Sequence, residues 1–157
     1  MTSAPPVRFG DKLVQIHDEL RGRLGALRRE VGDFLDERDR LDGAPGETPT
    51  LTHQLRQNCL EFCHLLHGHH TAEDGGVFPA LEREHPELAP VLDRMRAEHV
   101  VVTDLMARIQ ALVADMGSGD AARLKTELDR LSGELEAHLD YEETFLVTAL
   151  NRLPTLT

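Results

Sequence analysis

The chain is predicted to be all-α, an up-down-up-down four-helix bundle, on three observations. Leu, Ala, Glu and Arg abound while Trp is absent and Tyr occurs once, which favours helix over strand at almost every position. Helix-period segments are separated by three clusters of helix breakers, LDGAPGETPT at 41–50, EHPELAP at 84–90 and MGSGD at 116–120. The connections are short and the helices long, so successive helices are antiparallel neighbours.

Four elements follow in order: helix A at 10–41, helix B at 50–84, helix C at 87–116 and helix D at 120–151. Thr48 or Thr50 and Asp120 are the expected N-caps. Gly75, Gly76 and Pro79 are expected to kink helix B rather than end it, because the proline ring presses on the carbonyl of residue 75 and a glycine there can yield.

The 157 residues make one domain, 1–157, with a helical core at about 10–151, and are enough to bury a core without a metal staple. Any metal would serve chemistry. Lys and Arg total 17 against 28 Asp and Glu, and the resulting charge of -11 repels phosphate backbones and anionic membrane surfaces. Neither nucleic acid nor membrane is expected as a partner. The N-terminus MTSAPPVRFG has no apolar core of a leader, no run reaches the roughly 18 apolar residues of a membrane helix, and cysteines are few. The expected compartment is a reducing cytoplasm.

Two stretches raise the functional question: HGHHTAEDGGVFPAL at 67–81 and AHLDYEETFLVTAL at 137–150 each place a His four residues before a Glu. The chain reads as two halves, since HDELRGRLGALR (17–28) also corresponds to HVVVTDLMARIQ (99–110). Each half is a helix with one key His followed by a helix with His-x-x-x-Glu. Projected at 100° per residue, His69 and Glu73 fall within about 20° of Phe62, inside an apolar stripe with Leu55, Cys59, Leu66 and Val77. His70 falls about 80° away and Asp74 about 120°, at the stripe's edge or beyond it. On helix D, His138 and Glu142 lie inward with Leu124, Leu131, Leu135 and Phe145, while Glu143 projects outward about 140° from His138. His17 shares the face of Leu13, Leu20, Leu24, Val31 and Leu35, and His99 that of Leu88, Leu92, Met95, Val102 and Met106.

Residues equally far from a connecting loop sit at one height in antiparallel helices. His99 lies 19 residues before position 118 and His138 lies 20 after it, and Glu73 and His99 are each 13 from position 86. His17 is 29 residues before position 46, and His69 and Glu73 are 23 and 27 after it. Six side chains, His17, His69, Glu73, His99, His138 and Glu142, thus fall near one layer. A buried, unpartnered glutamate costs several kcal/mol, and two metal ions in the core resolve this. Each would take two imidazoles and share the two carboxylates, with positions left for an oxo or hydroxo bridge and a small exogenous ligand. Mixed imidazole and carboxylate ligation with open octahedral positions suits iron or manganese better than structural zinc.

His70 and Asp74 stand as a second pair on helix B, in place of, or beside, His69 and Glu73. Tyr141 is either adjacent to the metals, an occasional ligand, or a half-buried bundle tyrosine. His53, His64, His67 and His85 read as surface or turn residues. Cys59 and Cys63, four apart on one helix, read as small buried hydrophobes rather than a redox pair.

The pattern H, HxxxE, H, HxxxE, carried by His17, His69 with Glu73, His99, and His138 with Glu142, resembles the hemerythrin-like HHE cation-binding family. The similarity spans about 12–150 and includes VFPAL after the first HxxxE. The resemblance implies a non-heme di-iron centre, two Fe per chain, in a four-helix bundle that binds dioxygen or related small ligands. The chain departs from the oxygen carriers in two places. They have a further histidine where Met95 stands, and an aspartate five residues after the last histidine where this chain has Glu142 at four. A missing nitrogen ligand opens one iron further, which implies peroxide or nitric oxide chemistry rather than reversible oxygen carriage. The expected function is binding or turnover of a small oxidant (dioxygen, hydrogen peroxide or nitric oxide), catalase-like or peroxidase-like, with no catalytic side chain beyond the metal ligands. The alternative is an iron or oxygen sensing or storage module without catalysis. The expected partners are that small ligand and an electron donor of unknown identity, in a monomer or weak homodimer.

Overall fold

A computed structural model describes residues 8–40, 53–114 and 120–153. Helix α1 runs over Phe9–Arg40 and α2 over His53–Ala72; a π turn at Glu73–Val77 leads into α3, Phe78–Glu84. A single 3-10 turn, Pro86–Leu88, then leads into α4, Ala89–Ala114, and α5 covers Asp120–Asn151. No strand occurs among the described residues. Helix α1 packs on α5 and α2, and α4 packs on α5 and α2, so each long helix has two long neighbours and the four form a bundle. No described helix is long and apolar enough to cross a membrane.

The helix ends fall within about two residues of the sequence reading where both can be compared. The capping roles expected of Thr48, Thr50 and Asp120 lie outside the described residues and side chains. Helix B does continue past its glycines, through one inserted residue. The N–H of Phe78 bonds to the carbonyl of Glu73, five residues back, where an α-helix would reach four. Pro79 sits in the first turn of α3, where its missing N–H costs nothing.

That insertion corrects the projection beyond residue 76. One extra residue per turn rotates everything after it by about 100°. Val77, projected into the stripe, is only half-buried, while Phe78 and Leu81 are completely buried.

The apolar core has two parts. The larger contains Leu20, Leu24, Leu27 and Val31 of α1 with Leu55, Phe62 and Leu66 of α2, Val102 to Val113 of α4 and Leu124 to Leu139 of α5. The smaller gathers Leu13, Phe78, Leu81, Leu92, Met95, Leu146 and Leu150. Each fully buried Leu contributes about 1.5–3 kcal/mol, so the helices are held on both sides of whatever lies between. Read along the chain, His17 falls between Leu13 and Leu20, His69 and His70 between Leu66 and Phe78, and His99 between Met95 and Val102. The polar layer is therefore clamped between two apolar clusters. Phe145, projected beside His138, is 47% exposed, because the last turns of α5 bury Leu146 and Leu150 against Leu13 and Phe78 instead.

Candidate metal centre

Seven side chains meet in the layer. His17, His70, Glu73, His99, His138 and Glu142 are at most 3% exposed, and His69 is nearly as deep, with 11% of its side chain accessible. Four helical segments deliver them: α1 gives His17, α2 gives His69 and His70, α4 gives His99 and α5 gives His138 and Glu142, while Glu73 opens the π turn. The structure thus brings together all six residues of the predicted layer and adds His70.

The imidazoles are oriented from outside. His17 Nδ1 donates to Glu143 Oε2 at 3.0 Å, His99 Nδ1 to Asp74 Oδ1 at 2.8 Å, and His138 Nδ1 to Glu98 Oε1 at 2.8 Å. An ionised carboxylate only accepts, so in each ring Nδ1 carries the hydrogen and Nε2 keeps its lone pair. Those Nε2 atoms face the buried glutamates. His17 and His138 Nε2 lie 3.7 and 3.6 Å from Glu142 Oε2, and His69 and His99 Nε2 lie 3.5 and 3.3 Å from Glu73 Oε1. His70 stacks on His99 with ring centroids 3.8 Å apart and stands edge-on to His138 at 5.2 Å.

Two of the outer carboxylates are themselves anchored by arginine. Arg21 Nη2 donates to Glu143 at 2.6 Å and also reaches Asp18, Glu136 and Asp140. Arg94 Nε donates to Glu98 at 3.2 Å while its guanidinium lies 3.9 Å over the Tyr141 ring. Tyr141 therefore packs on the arginine that steadies Glu98 and on Phe145. Burial resists ionisation of Glu143, but the hydrogen bonds from Arg21 and His17 outweigh it and hold its carboxyl below the usual range.

The electrostatics suit a cation. Burial pushes His69 down to about 3 and His99 to about 4, and lowers His17, His70 and His138 as well, so all five imidazoles present free lone pairs at neutral pH. Burial raises Glu142 to about 7 and Glu73 well above the usual carboxylate range, the neighbouring carboxylates adding to the effect. Ten nitrogen and oxygen atoms of these seven residues are buried without a hydrogen-bond partner, including both ring nitrogens of His70 and all four oxygens of Glu73 and Glu142. Each such group costs about 1–3 kcal/mol, and so dense a set calls for a ligand rather than for chance.

The donors sort into two groups whose ligand atoms all lie within 4.8 Å of one another: His70, Glu73, His99 and His138, and His17, His69, Glu73 and Glu142. First-row metals bond N and O at about 2.0–2.2 Å, so opposite ligands of one ion stand about 4–4.5 Å apart, and the spacing within each group is of the order that metal ligation needs. Glu73 belongs to both. These residues are able to hold metal. The model of the hemerythrin HHE cation-binding domain matches residues 9–150. The chain belongs to that family. No curated protein and no solved structure matches it significantly.

Within this HHE domain, three readings of the sequence change. His70, projected to the edge of the stripe, is 2% exposed and faces His99 and His138. The centre is wide enough to accept two successive residues of α2, one on either side of the inward direction. His70 supplies a fifth imidazole, so Met95, packed in the smaller apolar cluster, does not leave the layer one nitrogen short. Asp74 and Glu143 project outward as expected, yet each holds a histidine. Glu98 was not anticipated, although it lies 20 residues before position 118 and His138 lies 20 after it, so the level arithmetic applies to it equally. His53, His64 and His67 are exposed and His85 pairs with Glu87 in the 3-10 turn. Cys59 and Cys63 are free and buried, and burial pushes their thiols up to about 12 and about 11, well away from thiolate chemistry.

Proposed function

We propose that this HHE domain is a non-heme di-iron protein that binds or turns over a small oxidant (dioxygen, hydrogen peroxide or nitric oxide) in the core of an up-down-up-down bundle. The observation that carries the reading is the pair of donor groups sharing Glu73, each buried and each with the spacing that metal ligation needs. In this reading His70, His99 and His138 with Glu73 would hold one iron, and His17, His69 and Glu142 with Glu73 the other. Five nitrogens with two carboxylates exceed the four closed ligands of structural zinc and suit iron. Bound iron supplies redox chemistry and open positions for a small ligand.

The chain's own residues do the rest. Glu143, Asp74 and Glu98 hold His17, His99 and His138 in the tautomer that aims Nε2 inward. Arg21 and Arg94 keep two of those carboxylates in place from the surface. The apolar clusters flank the layer on both sides and limit the access of bulk water to it.

Metal analysis of the protein as purified, with its ultraviolet-visible spectrum before and after peroxide, tests this. Expected are two irons per chain, one for each donor group, a near-ultraviolet ligand-to-metal band, and a spectral change with loss of peroxide. One zinc and no iron would overturn the di-iron reading. Iron without spectral response or peroxide loss would overturn turnover and leave a storage or sensing module.

A further inference from the structure

The surface between α2 and α4 carries a cavity of about 180 Å³ lined by His67, His70, Thr71, Asp74, His99, Val100 and Thr103. It connects two very different environments. His67, Thr71 and Thr103 are exposed, and the Asp74 side chain is 41% accessible. His70 and His99 are 2% and 3% exposed and belong to the metal-holding groups. Both ring nitrogens of His70 lack a partner.

The lining has a consistent chemistry. It offers imidazoles, a carboxylate and hydroxyls, with no Lys or Arg. Asp74 also differs from the other two outer carboxylates. Glu143 and Glu98 are each paired with an arginine, whereas among the described residues Asp74 has no ion pair besides that with His99. Its charge is turned to the cavity rather than cancelled. A passage for a neutral diatomic molecule gains nothing from such a lining, while a divalent cation shedding its water does, since each lost water oxygen is replaced by a nitrogen or oxygen donor.

We propose that this cavity is the loading entrance of the centre, through which a divalent first-row cation passes from His67 and Asp74 at the mouth to His70 and His99 at the base. The inference rests on the metal-centre reading above and adds the route by which that centre fills. The net charge of -11 supplies long-range attraction, and the uncancelled carboxylate of Asp74 gives that attraction a local target.

The test follows uptake of Co²⁺ by the metal-free protein, using its visible absorption in stopped flow. Thr103→Lys places an ammonium in the cavity without touching a donor of the centre. Thr126→Lys makes the same change of charge on α5, about 18 Å along the helix from His138 at 1.5 Å per residue. Thr103→Lys is expected to slow uptake by on the order of tenfold at low ionic strength, with the final cobalt content unchanged and the deficit shrinking as salt is added. His67→Ala is expected to slow uptake by a smaller factor. Thr103→Lys loading at the unmodified rate, or Thr126→Lys slowing it equally, would overturn the entrance while leaving the centre standing. An unmodified chain that takes up no cobalt and no iron would overturn the centre, and the entrance with it.

Discussion

Asp74 Oδ1 accepts a hydrogen bond from His99 Nδ1 at 2.8 Å across the α2–α4 boundary, joining the π turn to the one histidine that α4 contributes. A side chain on the outer side of its own helix thereby sets the tautomer of a candidate metal ligand on another. Asp74→Ala is expected to weaken metal binding by about 10–100-fold, the usual effect of removing the partner of a metal-binding histidine. Asp74→Asn, which keeps an accepting oxygen, is expected to recover part of that loss. Competition with a chromogenic chelator measures both, and an unaltered affinity in Asp74→Ala would show the bond to be incidental.

His70→Ala is expected to lower the metal content, because the ring supplies the fifth imidazole and faces His99 and His138. Met95→Leu conserves volume in a well-packed apolar cluster and is expected to cost less than about 1.5 kcal/mol with the metal content intact. Elemental analysis and thermal melts of the two variants, side by side, decide which residue belongs to the centre.

The two outcomes turn on what a helical projection can and cannot reveal. Apolar spacing was enough to anticipate four helices and the inward direction of His17, His69, Glu73, His99, His138 and Glu142, because each lies in a stripe of period 3.6. Failures came where the geometry departs from one uniform helix facing one line. The π turn rotates Phe78 inward in place of Val77. A centre wide enough for two donor groups takes in His70, an edge position for a narrow stripe. The packing partners of Leu146 and Leu150 swing Phe145 outward at the end of α5. Outer carboxylates such as Glu98 leave no periodic signal, since their work is done toward a neighbouring helix.

The metal-free protein should carry the signature of Glu142 in its pH dependence. Burial raises this carboxyl from 4.5 to about 7. The folded state therefore binds a proton between those values that the unfolded state has lost, and the stability this confers is complete below pH 4.5 and gone above about pH 7. Glu142→Gln removes the effect. The stability difference between Glu142→Gln and the unmodified apoprotein should widen as pH rises from 4.5 towards 7 and then level off. Urea titrations across this range check it; a difference independent of pH would show that Glu142 ionises normally. The buried histidines act in the opposite sense, since their lowered values cost stability as pH falls below 6.5.

Gly10 lies where the start of α1 meets the end of α5. Asp11 N–H donates to Asn151 Oδ1 and Asn151 Nδ2 returns a bond to Asp11 Oδ1, each at 3.2 Å. A Cβ on residue 10 would press on the carbonyl oxygen of Val147 and lie 2.6 Å from Asn151 Oδ1. Alanine gains up to about 1 kcal/mol of helix propensity over glycine, but a backbone clash of this kind typically costs about 1–3 kcal/mol. Gly10→Ala is expected to lower the melting temperature, and a rise would mean that the helix ends part freely.

Metal removal should separate the apolar contribution to stability from that of the polar layer. The larger apolar cluster alone spans all four long helices, so the chain should stay helical after chelation, with little change in far-ultraviolet circular dichroism. What it loses is compensation for ten unpartnered buried atoms. The melting temperature of the metal-free form should therefore fall, and return with added metal in a concentration-dependent way, as for any ligand that binds only the folded state; at a hundredfold excess over Kd the gain is about 2.7 kcal/mol. Glu73→Ala, which removes the donor common to both groups, should melt at one temperature with or without metal. If chelation unfolds the chain outright, the clusters on either side of the layer do not hold the bundle by themselves. If Glu73→Ala still responds to metal as the unmodified protein does, the shared carboxylate is not what joins the two groups.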